Sequence, residues 1–237
     1  MPVLYIVATP IGNLEDISMR ALRVLGEVDF ILCEDTRVTR ILLERYKINT
    51  RTISYHQHSG ESKINEIIGL LSDGKNLALV SDAGTPGISD PGGKLIQTVI
   101  ERLDDAVQIE SVPGPSAITA ALSISGIPTD KFIFMGFPPH KKGRQTFIRK
   151  IVESEWPVVV YESKHRIIKF LAELELVTRN SQLTTEEKKV NLTSVVVVRE
   201  LSKMHETVYR GDLKNIKNKI AADPNAQKGE FVVIIGK

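Results

Sequence analysis

Short, continuous apolar runs alternate with longer amphipathic stretches through the first half of the chain. The runs are Val3–Ala8, Phe30–Cys33, Arg51–Tyr55, Asn76–Val80 and Val107–Val112. Each is four to six residues long and flanked by polar or Gly/Pro residues, the signature of buried strands, Arg51–Tyr55 being the weakest. Between them lie helical patterns. Ser18 caps a helix through Val28 with Met19, Leu22 and Leu25 apolar. A second follows Glu34–Arg37 to about Tyr46, and Ser62 caps a third with Ile64, Ile67, Ile68 and Leu71 on one face. Further helices are expected over Gly92–Leu103 and from Ser116 to about Ser123. Strands alternating with helices at this spacing predict a mostly parallel sheet with helices on both faces.

The pattern changes after the stretch Ser125–Asp130, which reads as a linker. Strands are expected at Lys131–Gly136, Pro157–Tyr161, Val195–Arg199, Glu206–Tyr209 and Phe231–Ile235, with helices over Gln145–Val152, from Arg166 through Leu174, and over Leu213–Ile220. The polar residues 178–191 read as a loop. Fewer helices separate these strands, so the second sheet is expected to be mixed or largely antiparallel. The fold class is therefore α/β in two domains, residues 1–127 and 128–237.

Charge sharpens that division. The 237-residue chain carries a net +2. Residues 1–127 hold 11 Lys+Arg against 16 Asp+Glu, a net of −5, and residues 128–237 hold 20 against 13, a net of +7. A basic second domain suits an anionic partner, although solvated faces can also produce such an imbalance. The single Cys33 excludes an internal disulfide and a cysteine metal cluster, and no metal is expected. No run reaches the ~18 apolar residues of a membrane span, and the chain enters a strand at once after Met1, so the expected location is cytoplasmic.

The unusual residues cluster after strands: Ala8–Asn13 (ATPIGN), Glu34–Arg37 (EDTR), His56–His58 (HQH), Ser81–Gly93 (SDAGTPGISDPGG) and Pro113–Ala117 (PGPSA). Ser81–Gly93 packs four glycines and two prolines into thirteen residues, more than a plain turn requires. Ligands of parallel α/β sheets bind outside the carboxyl ends of the strands, so five such loops mark one rim. The rim lacks GxGxxG, GxxxxGK[ST] and GxSxG, which argues against dehydrogenase, kinase and serine-hydrolase chemistry. It offers backbone amides, small residues and carboxylates, a surface for a partly apolar, zwitterionic or cationic ligand. Glu34, Asp35 and Arg37 are candidates for a catalytic or substrate-orienting set, with a structural ion pair as the alternative.

The segments LYIVATPIGNLEDIS, ILCEDTR, LALVSDAGTPGISDPG, VPGPSAITAAL, FMGFPP and VYESKHR, in that order, resemble the ribosomal RNA branch of the tetrapyrrole methylase superfamily of S-adenosylmethionine-dependent methyltransferases. The resemblance extends to RELSK near Leu201 and KGEFVVIIG at the end. It implies two α/β domains with S-adenosylmethionine in the cleft between them, a homodimer, and transfer of methyl to a ribose 2′-hydroxyl. The acceptor implied is a cytidine in the decoding region of 16S rRNA, presented by the small ribosomal subunit. Carried onto this sequence, cofactor contacts fall at Pro10, Asp82, Ala83, Gly84, Ile88, Ser116, Ala117, Thr119, Met135 and Tyr161. RNA phosphate would meet Lys141, Lys142, Arg144, Arg149, Lys150, Lys164 and Arg166. Glu162, Arg199 and Glu200 are further candidates on the second domain. The tetrapyrrole enzymes carry GxGPGD after the first strand, where this chain has TPIGN, which favours the RNA branch. Two alternatives stay open: a methylase of a tetrapyrrole or other small molecule, and a ribosome-assembly factor that binds RNA without turnover.

Overall fold

The computed structural model describes residues 1–90, 92–184 and 194–236. They form two compact units, Met1–Ser116 and Ala117–Lys237.

The first unit runs β1 (Val3–Val7), α1 (Met19–Glu27), β2 (Phe30–Cys33), α2 (Thr36–Arg45), β3 (Arg51–Ser54), α3 (Glu61–Ser72), β4 (Leu77–Val80), α4 (Gly92–Leu103) and β5 (Gln108–Val112). Its sheet has the order β3-β2-β4-β1-β5, and every pairing is parallel. Alternate strand residues face opposite sides. Val7, Ile31, Cys33, Ala78 and Val80 pack under α1 and α2. Leu4, Ile6, Leu32, Leu77 and Leu79 pack under α3 and α4. The inner strands β1, β2 and β4 are buried on both faces, which is why they read as continuous apolar runs, whereas the edge strands β3 and β5 keep exposed polar residues such as Arg51 and Gln108. β1 and β2 thus lead to helices on one face, β3 and β4 to helices on the other. β4 lies between β1 and β2, so the connections part on either side of it, the condition that opens a crevice at the strand ends.

The local signals acted with two differences. Ser18 caps α1, its Oγ accepting from the Ala21 amide at 3.0 Å. The buried face of α1 is Ala21, Val24 and Leu25, and Met19 stands in solvent at 83% exposure. Helix α3 begins one residue before Ser62, with Gly60 at the cap position and no side-chain cap bond.

The second unit contains α5 (Ala117–Ser123), β6 (Ile133–Phe134), α6 (Arg144–Glu153), β7 (Val158–Ser163), α7 (Ile167–Thr184), β8 (Val195–Arg199), β9 (Thr207–Gly211), α8 (Leu213–Ala222) and β10 (Glu230–Ile235). Its sheet is mixed, in the order β6-β7-β10-β8-β9: β6 and β7 are parallel and the other pairs antiparallel. Val158, Val160, Val195, Val197, Val233 and Ile235 pack against α6, α7 and α8. Val159, Val196, Val198, Val232 and Ile234 pack against α5. Burying each of these side chains contributes on the order of 1.5–3 kcal/mol.

Helix α5 therefore belongs with the second sheet, and the units divide after Ser116, ahead of the Ser125–Asp130 stretch that composition singled out. Helix α7 continues to Thr184, seven residues into the span expected to be a loop from 178. Residues 185–191 of that expected loop lie outside the described residues. Of the strand expected over Lys131–Gly136, regular ladder geometry holds at Ile133 and Phe134, and backbone bonds to Val159 and Tyr161 carry the pairing to Gly136, whose φ is +65°. Among the described residues no helix is long and apolar enough to cross a membrane, and no three His, Cys, Asp or Glu side chains gather as a metal site would require.

Candidate functional site

Three loops of the first unit are tied together at the strand ends. The Thr9 amide donates to the Gly84 carbonyl at 2.9 Å, and the Gly84 amide returns a bond to the Thr9 carbonyl at 3.1 Å. Thr9 Oγ1 donates to the Ser81 carbonyl at 2.9 Å, and Ser81 Oγ to the Gly84 carbonyl at 3.0 Å. Thr85 Oγ1 reaches the Pro115 carbonyl at 3.2 Å, bringing in the loop after β5. Gly84 sits at φ +85°, a conformation costly for other residues, and a Cβ there would lie 3.4 Å from Ile11 Cγ2. A Cβ on Gly114 would meet the Ala8 Cβ at 3.1 Å. These glycines let the loops close on one another.

Asp90 fixes the far end of the same loop, its Oδ1 accepting from the amides of Gly87 at 2.6 Å and Gly92 at 2.8 Å. Between these anchors Asp82, Ala83 and Ile88 are exposed, while Pro10 and Gly84 are buried. Asp82, Ala83 and Ile88 thus offer surface to a ligand, and Pro10 and Gly84 build the support beneath. Ser116 ends the first unit; Ala117, Thr119, Met135 and Tyr161 belong to the second. Tyr161 packs against Phe134 and Phe137, with ring centroids 5.0 and 5.4 Å away. Burial pushes its phenol up to about 12 against the pull of a hydrogen bond with the Ile118 backbone, so the ring stays neutral.

The EDTR loop separates two acids by environment. Asp35 caps α2: its Oδ1 accepts from the Arg37 amide at 2.8 Å and from Arg37 Nε at 3.0 Å, and its Oδ2 accepts from an Arg37 guanidinium nitrogen at 2.6 Å. The Arg37 hydrogen bonds, side chain first, hold the Asp35 carboxyl down at about 2. The Asp35 amide donates to Asp82 Oδ1 at 3.1 Å, joining this loop to the glycine-rich one. Glu34 is pushed the other way, first by burial and then by the charges of Asp82 and Asp90. Its carboxylate makes no hydrogen bond or ion pair among the described residues.

Glu34 opens onto a cavity of ≈ 380 Å³ at the carboxyl ends of β2, β3 and β4. Tyr55 and Gln57 come to it from the loop after β3, and Ser89, Asp90 and Lys94 from the loop and helix after β4. Ser89 and Asp90 belong to the singled-out Ser81–Gly93 stretch and Gln57 to the HQH segment, of which it alone lines the cavity, while Tyr55 and Lys94 drew no functional attention in the sequence. The signal was faint because polar residues after a strand are common, and only the fold gathers them. His56 and His58 stay exposed, with the His58 amide donating to His56 Nδ1 at 3.2 Å.

The basic candidates divide. Lys141, Lys142, Arg149, Lys150 and Lys164 are exposed. Arg144 and Arg166 differ from these, because their guanidinium groups make their ion pairs inside the second unit. Arg144 Nε lies 2.6 Å from Glu173 and another of its nitrogens 3.7 Å from Glu162, and it donates to the Pro139 carbonyl at 3.1 Å. Arg166 Nε lies 2.9 Å from Glu162, and the guanidinium donates to the Pro138 carbonyl at 2.9 Å. Glu162 itself is fully buried. Arg144 Nη2 and Glu162 Oε2 lack hydrogen-bond partners. The cluster holds the Phe137–Pro139 turn from below. Phe137 is left 51% exposed, beside the exposed His140, Lys141 and Lys142.

Arg199 and Glu200 are likewise structural. Arg199 donates to the carbonyls of Lys228 at 2.7 Å and His205 at 3.0 Å, and Glu200 accepts from the Glu230 amide at 2.9 Å and from Lys203 Nζ at 3.1 Å. A Cβ on Gly229 would fall 2.4 Å from Glu200, so the RELSK and KGEF segments lock together.

Residues 3–217 match the family described as Tetrapyrrole (Corrin/Porphyrin) Methylases. A Hydrogenobaculum protein named Ribosomal RNA small subunit methyltransferase I is 42% identical over 236 residues, 99% of this chain and 95% of that protein. An Escherichia coli protein of the same name is 40% identical over 98% of this chain and 77% of its own length. Among solved structures, a cobalt precorrin-4 methyltransferase of cobalamin biosynthesis superposes with a TM-score of 0.67 at 18% identity, covering 99% of this chain and 94% of the other. That likeness speaks to fold.

Proposed function

Because the chain belongs to the tetrapyrrole methylase family, we propose that it is an S-adenosylmethionine-dependent methyltransferase of small-subunit ribosomal RNA. Its product on this reading is a 2′-O-methylated cytidine in the decoding region of 16S rRNA. The observation that carries the reading is identity of about 40%, over nearly the whole chain, to relatives named for that RNA.

S-adenosylmethionine is the donor used in this family, and it supplies a methyl group on a sulfonium leaving group. The exposed Asp82–Ala83 segment suits such a ligand, since it offers a carboxylate and main-chain groups on a base made rigid by the Thr9–Gly84 pairing. On this proposal Pro10, Asp82, Ala83, Gly84, Ile88, Ser116, Ala117, Thr119, Met135 and Tyr161 form the donor's surroundings. The protein's task is then mainly orientation of two reactants. Asp35, held ionised by Arg37, is a poor proton acceptor near neutral pH, and with Arg37 it fixes the loop. Glu34 is the acid left to meet the acceptor nucleotide.

Lys141, Lys142, Arg149, Lys150 and Lys164 supply the phosphate contacts. Exposed Phe137 among these cations offers a face on which an unpaired base can stack. The protein works in the cytoplasm on an assembled or nascent subunit, as a homodimer, a state that light scattering would test.

The direct test is transfer of tritium from labelled S-adenosylmethionine to small subunits that lack the modification, followed by mapping of the labelled nucleotide. Label on one decoding-region nucleotide is expected. Cofactor binding without RNA label, with label appearing instead on a tetrapyrrole, would move the protein to small-molecule methylation.

A further inference from the structure

Glu34 is half-buried, without a partner, and faces an open cavity, while its neighbour Asp35 is saturated. A carboxylate left so is set for a donor that comes from outside. The cavity adjoins the segment proposed to hold the methyl donor, since the Asp35 amide bonds Asp82 at 3.1 Å. Its ≈ 380 Å³ lies at the small end of ligand pockets, adequate for a nucleoside and too small to enclose a tetrapyrrole macrocycle.

The lining is polar and two-signed. Glu34 and Asp90 are acceptors, Gln57 presents both a donor and an acceptor, Ser89 and Tyr55 carry hydroxyls, and Lys94 adds a cation. Asp90 already accepts from two backbone amides, which leaves Glu34 as the acceptor with most capacity. Ser89 sits at φ +65°, a strained conformation at the cavity wall of the kind that gathers at ligand sites.

We infer that this cavity receives the base of the acceptor nucleotide, turned out of its stack, and that Glu34 selects a base with an exocyclic amine, cytosine over uracil. Cytosine brings an N4 amine to the carboxylate, with a ring nitrogen and carbonyl beside it for Gln57 or a hydroxyl. Uracil would set its O4 against Glu34, two acceptors facing each other. The inference rests on the RNA-methylation reading and adds the site and the residue that choose the base.

The test uses the full-length protein with small subunits reconstituted from 16S rRNA carrying either C or U at the nucleotide labelled in the parent reaction. Parent protein is expected to prefer C by at least about tenfold in kcat/KM. Glu34→Gln, whose amide can also donate, is expected to shrink that preference about tenfold, with S-adenosylmethionine affinity by calorimetry unchanged. Gln57→Ala, an exposed position, is expected to raise KM for the subunit with cofactor affinity retained. An unchanged C-to-U ratio in Glu34→Gln, with both rates reduced alike, would overturn base selection by Glu34. A Gln57→Ala variant identical to the parent would argue against the cavity as the binding place. If the parent labels no RNA at all, it is the underlying reading that fails, a result distinct from either.

Discussion

The two units handle polar groups in opposite ways. In the first, the loops after β1, β4 and β5 satisfy one another through backbone and hydroxyl bonds, which leaves the carboxylates of Glu34 and Asp82 at the surface. In the second, Glu162 is fully buried between Arg144 and Arg166, and both arginines reach up to the carbonyls of Pro138 and Pro139. The first unit leaves one half-buried carboxylate, that of Glu34, open to its cavity without a partner among the described residues. The other buries charge to brace a loop whose exposed Phe137 and lysines can face a polymer. The same residue types are thus site in one place and scaffold in the other, and burial and partners distinguish the two roles.

The largest effect is expected from breaking the buried cluster. Glu162→Ala takes the carboxylate from Arg166, while Arg144 keeps Glu173, and should cost about 3 kcal/mol in urea denaturation. A loss below about 1 kcal/mol would mean that the cluster is not the brace described. Next comes Gly92→Ala, where the new Cβ would lie 2.9 Å from the Gly87 nitrogen and 3.0 Å from Asp90 Oδ1. The loop must shift, at a cost of about 1–3 kcal/mol, and calorimetry should register weaker S-adenosylmethionine binding. The double change Lys141→Ala with Lys142→Ala should leave the fold and cofactor affinity intact. It should reduce the salt dependence of subunit binding by close to two phosphate contacts, a slope change of about 1.4 for single-stranded RNA.

The smallest effects are in pH dependence, and they carry opposite signs at neighbouring residues. Asp35 is depressed to about 2, so its contribution to stability is complete above the ordinary aspartate value and is lost as pH falls towards 2. Glu34 is raised by burial, so stability is fullest below the ordinary glutamate value and declines as pH rises through the native one. Relative to the parent, Glu34→Gln should therefore gain stability as pH rises above the ordinary glutamate value, and Asp35→Asn should lose it over a lower interval. Chemical denaturation across pH reads both. Parallel curves would remove the distinction drawn between the two acids.

Much of this was legible in the sequence. The apolar runs matched the inner strands β1, β2 and β4 because strands covered on both faces need nearly uninterrupted apolar residues, while the edge strands β3 and β5 are mixed and gave weaker patterns. The loops after them stood out because Gly84, Gly92 and Gly114 sit where a side chain would collide or strain. What was hidden depends on distant partners. Arg144 and Arg166 look like solvated cations until Glu162 and Glu173 are brought to them by the packing of α6, α7 and β7. Residues 178–184 read as loop from their polarity, yet α7 carries them on as helix, with Thr178 Oγ1 bonded to the Leu174 carbonyl at 2.8 Å. The cavity joins Glu34, Tyr55 and Asp90, which lie far apart along the chain and meet only through the strand order.

The most direct measurement is alkaline hydrolysis of small-subunit RNA labelled by this protein from tritiated S-adenosylmethionine. A methyl on a ribose 2′-oxygen removes the nucleophile that cleaves the next phosphodiester. The account predicts that the tritium appears in one alkali-resistant dinucleotide beginning with cytidine. Tritium in an alkali-released mononucleotide would mean methylation of a base and would contradict it.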